Sequence, residues 1–122
     1  VNNYQNKAND QSLLIVLLEE IQALENLDEI LAVDDIDVFF VAPNDLSQTM
    51  GYLGNQEHPD VQNKISETLD KIVRSGRTAG TLVNDENVDK YLDLGVKFLA
   101  TSWNPWAMQG ARNFVQKVSY HG

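Results

Sequence analysis

Four short apolar runs in this chain each end on residues able to do chemistry. Leu13–Leu18 leads into Glu19 and Glu20. Val38–Ala42 leads into Pro43, Asn44, Asp45 and then Ser47. Ala79–Val83 leads into Asn84, Asp85 and Glu86, and Phe98–Ser102 runs out at Ser102, Trp103 and Asn104. Glu19 and Asp45 are the first pair to consider. Neighbouring parallel strands lie ~4.8 Å apart, so carboxylates at adjacent strand ends can share one cation. Hard oxygen ligands with room for waters suit Mg²⁺ or Mn²⁺. A plainer reading stands beside it. Asp45 could cap a turn through the amides of Ser47 or Gln48, and Glu19 could open a helix near its positive dipole end. Spacing alone favours the plainer reading.

Other residues attract bland readings first. Asn44-Asp45-Leu46 could present backbone N–H groups to a carboxylate, though that pattern alone is weak. His58, in a polar loop before Pro59, reads as a capping or loop residue rather than a base. His121 stands next to the chain's last residue. Trp103 and Trp106 flank a helix start and read as core packing or a subunit contact rather than ligand stacking. Asp34-Asp35 reads as a solvated turn.

The elements that must position these residues follow from hydrophobic periodicity. Leu13–Leu18 and Val38–Ala42 are continuous apolar runs, the pattern of strands covered on both faces. Ala79–Val83 is a third, weaker strand and Phe98–Ser102 a fourth. Between them, helical spacing appears at Ile21, Leu24, Leu27 and Leu31, then at Val61, Ile65, Leu69 and Ile72, with Pro59 in the first turn and Gly76 closing it. A helix capped by Asn84 or Asp85 carries Val88, Tyr91 and Leu92 and ends at Gly95. The last helix starts at Asn104-Pro105 and lines up Ala107, Ala111, Phe114, Val115 and Val118. Asn44–His58 reads as a long connection. The polar residues 1–12 read as a lead-in or helix tail, and 13–122 as one domain. Four strand-then-helix units predict a parallel α/β fold with right-handed crossovers. Function in such folds collects at the carboxyl ends of the strands.

Composition narrows the classes. Eighteen Asp and Glu against nine Lys and Arg give a net charge of -9 over 122 residues. That balance repels phosphate backbones, so no nucleic-acid partner is expected. The absence of cysteine excludes disulfides, thiolate metal sites and thiol nucleophiles. No run approaches the ~18 apolar residues of a membrane span. No basic stretch followed by an apolar one opens the chain, and a cytoplasmic setting is expected.

Several segments, taken together, carry a resemblance. They are Asn26-Leu27-Asp28-Glu29-Ile30-Leu31-Ala32-Val33, Ala42-Pro43-Asn44-Asp45-Leu46-Ser47, Met50-Gly51-Tyr52-Leu53-Gly54-Asn55 and His58-Pro59-Asp60-Val61-Gln62. From about Ala8 to Leu99 the chain resembles the carboxyl-terminal half of the HpcH/HpaI aldolases. The resemblance implies half of a (β/α)₈ TIM barrel, which typically has ~250 residues. It implies a metal-dependent class II aldolase, a carbon–carbon lyase acting on pyruvate-derived hydroxy-oxo acids. The family's metal-binding Glu and Asp match Glu19 and Asp45, which moves the balance toward the metal reading. The expected cation is Mg²⁺ or Mn²⁺, with Co²⁺ a further candidate. The family's amides that hold the pyruvate carboxylate match Asn44 and Asp45, and a pocket-lining position matches Leu82.

The departures are specific. The family's Glu-Thr is Glu19-Glu20 here, and its Gly-Pro-x-Asp is Ala42-Pro43-Asn44-Asp45. Its Gly-Val-Asp segment is replaced by Ser102-Trp103-Asn104-Pro105-Trp106. The family also takes a pyruvate-binding arginine and a His–Asp acid/base pair from the other half of the barrel. The arginines here, Arg74, Arg77 and Arg112, end no strand.

Four βα units leave open sheet edges and an apolar face, which favour association. A homodimer is the expected arrangement, with a separate amino-terminal half-barrel as another partner. Two function classes follow: an aldolase-type lyase that is incomplete or weakly active alone, and a non-catalytic half-barrel oligomerisation or binding module. A receiver-like doubly wound domain is a weaker third reading, because no lysine ends the last strand.

Overall fold

The computed structural model describes residues 8 and 11–121, and for residue 121 only the backbone. Most of the lead-in expected over residues 1–12 lies outside the described residues, as does the side chain of His121. Among the described residues the order is β1 (Ile15–Leu18), α1 (Ile21–Glu25), α2 (Leu27–Leu31), β2 (Val38–Val41), α3 (Pro43–Thr49), α4 (Pro59–Arg74), β3 (Ala79–Val83), α5 (Val88–Asp93), β4 (Phe98–Thr101) and α6 (Asn104–His121).

The four strands form one parallel sheet in the order β1-β2-β3-β4. Sequential order with crossovers of one hand puts the helices on one side of the sheet. The alternation of burial agrees. On one face Leu18, Phe39, Val41, Ala79, Thr81 and Val83 are buried. They pack with Leu24, Leu27 and Leu31 of α1 and α2, Val61, Ile65, Leu69 and Ile72 of α4, and Tyr91 of α5. On the other face Leu17 is 58 % exposed and Leu82 41 %. The sheet is therefore covered on one side only. A doubly wound domain would reverse its strand order and cover both, so the receiver-like reading falls on topology.

The uncovered face has its own packing. Phe40 and Phe98 meet edge to face, with centroids 6.1 Å apart, across Gly80. A Cβ on Gly80 would lie 3.0 Å from Phe40 Cδ2 and from Val38 Cγ1. At the amino-terminal end, the Arg77 guanidinium donates to the carbonyls of Leu31, Val33 and Ile36 and lies over the Phe39 ring. It ties the α2–β2 connection to the start of β3.

Several local expectations are corrected. Strand β1 begins at Ile15 rather than Leu13, because the amide of Leu14 is taken by the Asp37 carboxylate at 2.8 Å. The helical spacing from Ile21 to Leu31 is two helices. Asn26 breaks it, its side-chain amide donating to the Gln22 carbonyl in competition with the backbone. The expected connection from Asn44 begins with helix α3, which sequence periodicity missed because Leu46 is the one apolar residue between Asn44 and Thr49. Asn87, not Asn84 or Asp85, is the residue before α5. Asn84 instead accepts from the amides of Glu86 and Asn87 in a turn. The apolar stripe of α6 is not packed, since every residue from 101 to 120 is exposed. No helix among the described residues is long and apolar enough to cross a membrane.

The crowding at Gly80 is testable. Gly80→Ala is expected to destabilise the chain by about 1–3 kcal/mol, the usual cost of overpacking. Chemical denaturation of the two forms measures it, and an unchanged midpoint would reject the packing described.

Candidate functional site

The carboxyl ends of the strands are level. Leu18 pairs with Val41, and Val41 with Thr81. One residue further along, Glu19, Ala42 and Leu82 fall on one row of the uncovered face. Glu19 is half-buried there and Leu82 forms part of an apolar wall.

Beyond Ala42 the chain turns into α3. Pro43 stands at its first position, where a fixed φ suits the helix and no donor is wasted. Leu46 and Ser47 are fully buried and seat the helix. The Ser47 hydroxyl donates to the Asn44 carbonyl at 2.6 Å. Seated this way, the helix leaves Asn44 and Asp45 exposed. Ala42 offers no side-chain cap. First-turn amides have no partner within a helix, so those of Asn44 and Asp45 are donors for an external group. Asp45 itself is an acidic residue in the first turn of α3, and the expected alternative of a capping aspartate is not the geometry found.

A side-chain bond joins the two carboxylate-bearing segments. Thr49 Oγ1 lies 3.2 Å from the Glu19 carbonyl oxygen. Residues four apart share a helix side, and Asp45 lies one turn before Thr49 on α3. Sequence reasoning had no signal for Thr49, because nothing local marks a hydroxyl that reaches another strand's end.

After α3 the chain reverses at Gly51 and Gly54, which hold positive φ values of 86° and 81°. This brings Gly54 against Asn44, whose Oδ1 lies 3.5 Å from the position a Cβ would take. Tyr52 stacks on His58 at 4.0 Å, and its hydroxyl donates to the Asp60 carboxylate. That hydrogen bond raises the phenol above its ordinary pKa, with desolvation and the Asp60 charge adding to it. His58 is the residue before α4 and accepts from the Asp60 amide at 3.2 Å. It is the capping histidine that its place in the sequence suggested.

A cavity of about 130 Å³ opens between the ends of β2, β3 and β4, lined by Pro43, Leu82, Gln56, Tyr91, Thr101 and Ser102 among others. Burial raises the Tyr91 phenol, and the nearby Glu57 charge adds to the shift. Glu19 and Asp45 lie outside this cavity. An adjoining depression is bounded by Asp85, Glu86 and Trp106. Trp106 Nε1 donates to the Asp85 carboxylate at 2.8 Å. Core packing is not the role of the tryptophans, as Trp103 and Trp106 are 70 % and 51 % exposed. The arginines stay away from the site. Arg74 pairs with Asp70 at 2.7 Å, Arg77 serves the amino-terminal end, and Arg112 lies on α6. Among the described residues no three His, Cys, Asp or Glu side chains gather in a metal-binding cluster.

Four parallel βα units in sequential order, with the crossover helices on one side and a level row of strand ends, define this chain as half of a (β/α)₈ barrel. The family model HpcH/HpaI aldolase/citrate lyase matches residues 2–105, and the chain belongs to that family. It is 43% identical over 99 residues to a 4-hydroxy-2-oxo-heptane-1,7-dioate aldolase of Escherichia coli, covering 80% of this chain and 38% of that protein. It is 43% identical over 103 residues to a hydroxypyruvate/pyruvate aldolase of Roseobacter denitrificans, covering 84% of this chain and 40% of that one. A crystal structure of an HpcH/HpaI aldolase/citrate lyase family protein from Burkholderia cenocepacia superposes with a TM-score of 0.83 at 27% identity. That match covers 96% of this chain and 46% of the other. The chain thus spans about two-fifths of the length of the curated relatives it matches.

The seat of α3 makes a prediction. Ser47→Ala removes a buried hydroxyl that donates to the Asn44 carbonyl and is expected to cost about 1 kcal/mol. Thermal melts of both forms check it, and an unshifted melting temperature would show that the Ser47 hydroxyl does not hold this turn.

Proposed function

We propose that this chain carries the metal-bearing part of a pyruvate-type carbon–carbon lyase site, with Glu19 and Asp45 as the carboxylate ligands of a divalent cation. The observation that carries this reading is the Thr49 hydroxyl on the Glu19 carbonyl, since Thr49 and Asp45 share one side of α3. The donor set fits Mg²⁺ or Mn²⁺, with Co²⁺ a further candidate. Two hard carboxylates, with no third side-chain ligand among the described residues, leave positions for water and an oxo acid, as Mg²⁺ sites usually do. When bound, the cation supplies Lewis-acid polarisation of the oxo-acid carbonyl and stabilises enolate charge.

The chain's own residues have distinct parts. The first-turn amides of Asn44 and Asp45 orient the substrate carboxylate, and Leu82 offers it an apolar wall. With a net charge of -9 and no arginine at a strand end, the site depends on the cation to accept an anion. The substrate class is a pyruvate-derived hydroxy-oxo acid, in keeping with the names of the relatives. Full turnover requires an arginine and an acid/base group that these residues do not bring to the site, so a separate amino-terminal half-barrel is a natural complement. The acidic, cysteine-free composition suits a cytoplasmic setting.

A second reading rests on a specific observation. Leu13, Leu14, Leu17, Phe114, Val115 and Val118 are each more than half exposed. Apolar surface of that extent favours association. It supports a homodimer under either reading, and by itself a non-catalytic oligomerisation or binding module.

Aldol cleavage and oxaloacetate decarboxylation with Mg²⁺ or Mn²⁺ separate the two. The chain is expected to show weak, metal-dependent turnover that falls tenfold or more in the Glu19→Gln/Asp45→Asn double variant. Equal rates in both would reject the lyase reading for this chain. Light scattering is expected to give twice the chain mass, and a strict monomer would reject the association.

A further inference from the structure

The polypeptide between β1 and α1 makes an abrupt change of hydrogen-bonding partners. The carbonyl of Leu18 is the last in the strand ladder and accepts from the Ala42 amide at 3.1 Å. The carbonyl of Glu20 already belongs to helix α1 and accepts from the amides of Ala23 and Leu24. The Glu19 carbonyl falls in the gap between the two systems. The group within hydrogen-bonding reach of it is the Thr49 hydroxyl, from thirty residues further along the chain.

That hydroxyl has a choice. It lies 3.1 Å from the carbonyl of Leu46 and 3.2 Å from that of Glu19. Bonding to Leu46 is the ordinary back-bonding of a helical threonine and connects nothing new. Bonding to Glu19 connects the end of β1 to α3. Because α3 is seated by fully buried Leu46 and Ser47, it is a fixed body against which the end of β1 can be held.

We infer that Thr49 is a positioning residue for the Glu19 carboxylate. The inference rests on the metal reading above and adds to it a side chain that, with the strand register, holds the two ligands in relation to each other. Asp45 is attached to α3 directly. Glu19 is held to α3 by a hydrogen bond from the next turn of the same helix, beyond the Leu18–Ala42 bond that joins the strand ends. A metal site whose ligands come from different elements needs those elements held in register, and outer groups that orient ligands typically govern affinity about tenfold or more. Loss of the Thr49 hydroxyl therefore loosens one ligand without removing it.

The test uses Thr49→Val, which keeps the side-chain shape without the hydroxyl, and Thr49→Ser, which restores the hydroxyl. Two readouts are taken. NMR of the metal-free chain follows the carbonyl carbon of Glu19 and the amide of Glu20, the two ends of the peptide unit that accepts the bond. Calorimetric titration with Mn²⁺ follows the site. Thr49→Val is expected to shift both resonances and to weaken Mn²⁺ binding about tenfold. Thr49→Ser is expected to return both toward the parent. Resonances unmoved by Thr49→Val would overturn the tether. Shifted resonances with unaltered Mn²⁺ affinity would overturn the positioning role while leaving the metal reading intact. A parent chain that takes up no Mn²⁺, or takes it up equally after Glu19→Gln, would overturn the metal reading and the positioning role with it, whatever the resonances show.

Discussion

Helix α4 lays Val61, Ile65, Leu69 and Ile72 against the sheet, all four fully buried, and the rest of the molecule depends on that stripe. Each such side chain contributes roughly 1.5–3 kcal/mol on burial, an upper figure because unfolded chains are themselves partly compact. The stripe meets Phe39, Val41, Ala79 and Val83, the covered face of β2 and β3. Without that contact a four-stranded sheet with two open edges has little to hold its register. With it, β2 and β3 stay paired, β1 and β4 add to either side, and the strand ends stay level.

Level ends are what make a site possible. A parallel sheet places chemically useful residues at one edge only if no strand slips, and a slip of one residue would turn Glu19 and Leu82 to the helix side. The two ends of the sheet are then used differently. At the amino-terminal end the Arg77 guanidinium spends its donors on the carbonyls of Leu31, Val33 and Ile36. At the carboxyl end the exposed groups are carboxylates, first-turn amides and hydroxyls. One cationic side chain, Arg77, holds the fold together at the amino-terminal end, and the other end carries exposed polar groups.

Much of this architecture was legible in the chain of residues. Alternating apolar runs and helical stripes are dictated by burial, which acts on each segment through its own composition. Pro59, Gly76 and Gly95 mark boundaries because their backbone preferences are local. Helix α3 was not legible, since its seven residues carry one buried leucine and its helicity comes from Pro43 at the start and tertiary seating of Leu46 and Ser47. The split at Asn26 was equally hidden, as the apolar spacing passes straight across it. The stripe of α6 was legible as amphipathic. Spacing alone did not say that the sheet of this chain would leave it uncovered.

For the site, the sequence by itself determined which residue types stand after each strand, and so that Glu19, Asn44, Asp45 and Leu82 belong to one edge. Strand periodicity suffices for that, because a parallel sheet sends every strand's carboxyl end the same way. Only the tertiary structure decided that the strands run in the order β1-β2-β3-β4 with one face open, which gives half a barrel rather than a doubly wound sheet. It alone decided that Thr49 reaches the Glu19 carbonyl and that Trp106 turns to Asp85 instead of the core. These are contacts between residues far apart in the chain. Their geometry depends on how helices settle on the sheet, and no local pattern encodes it.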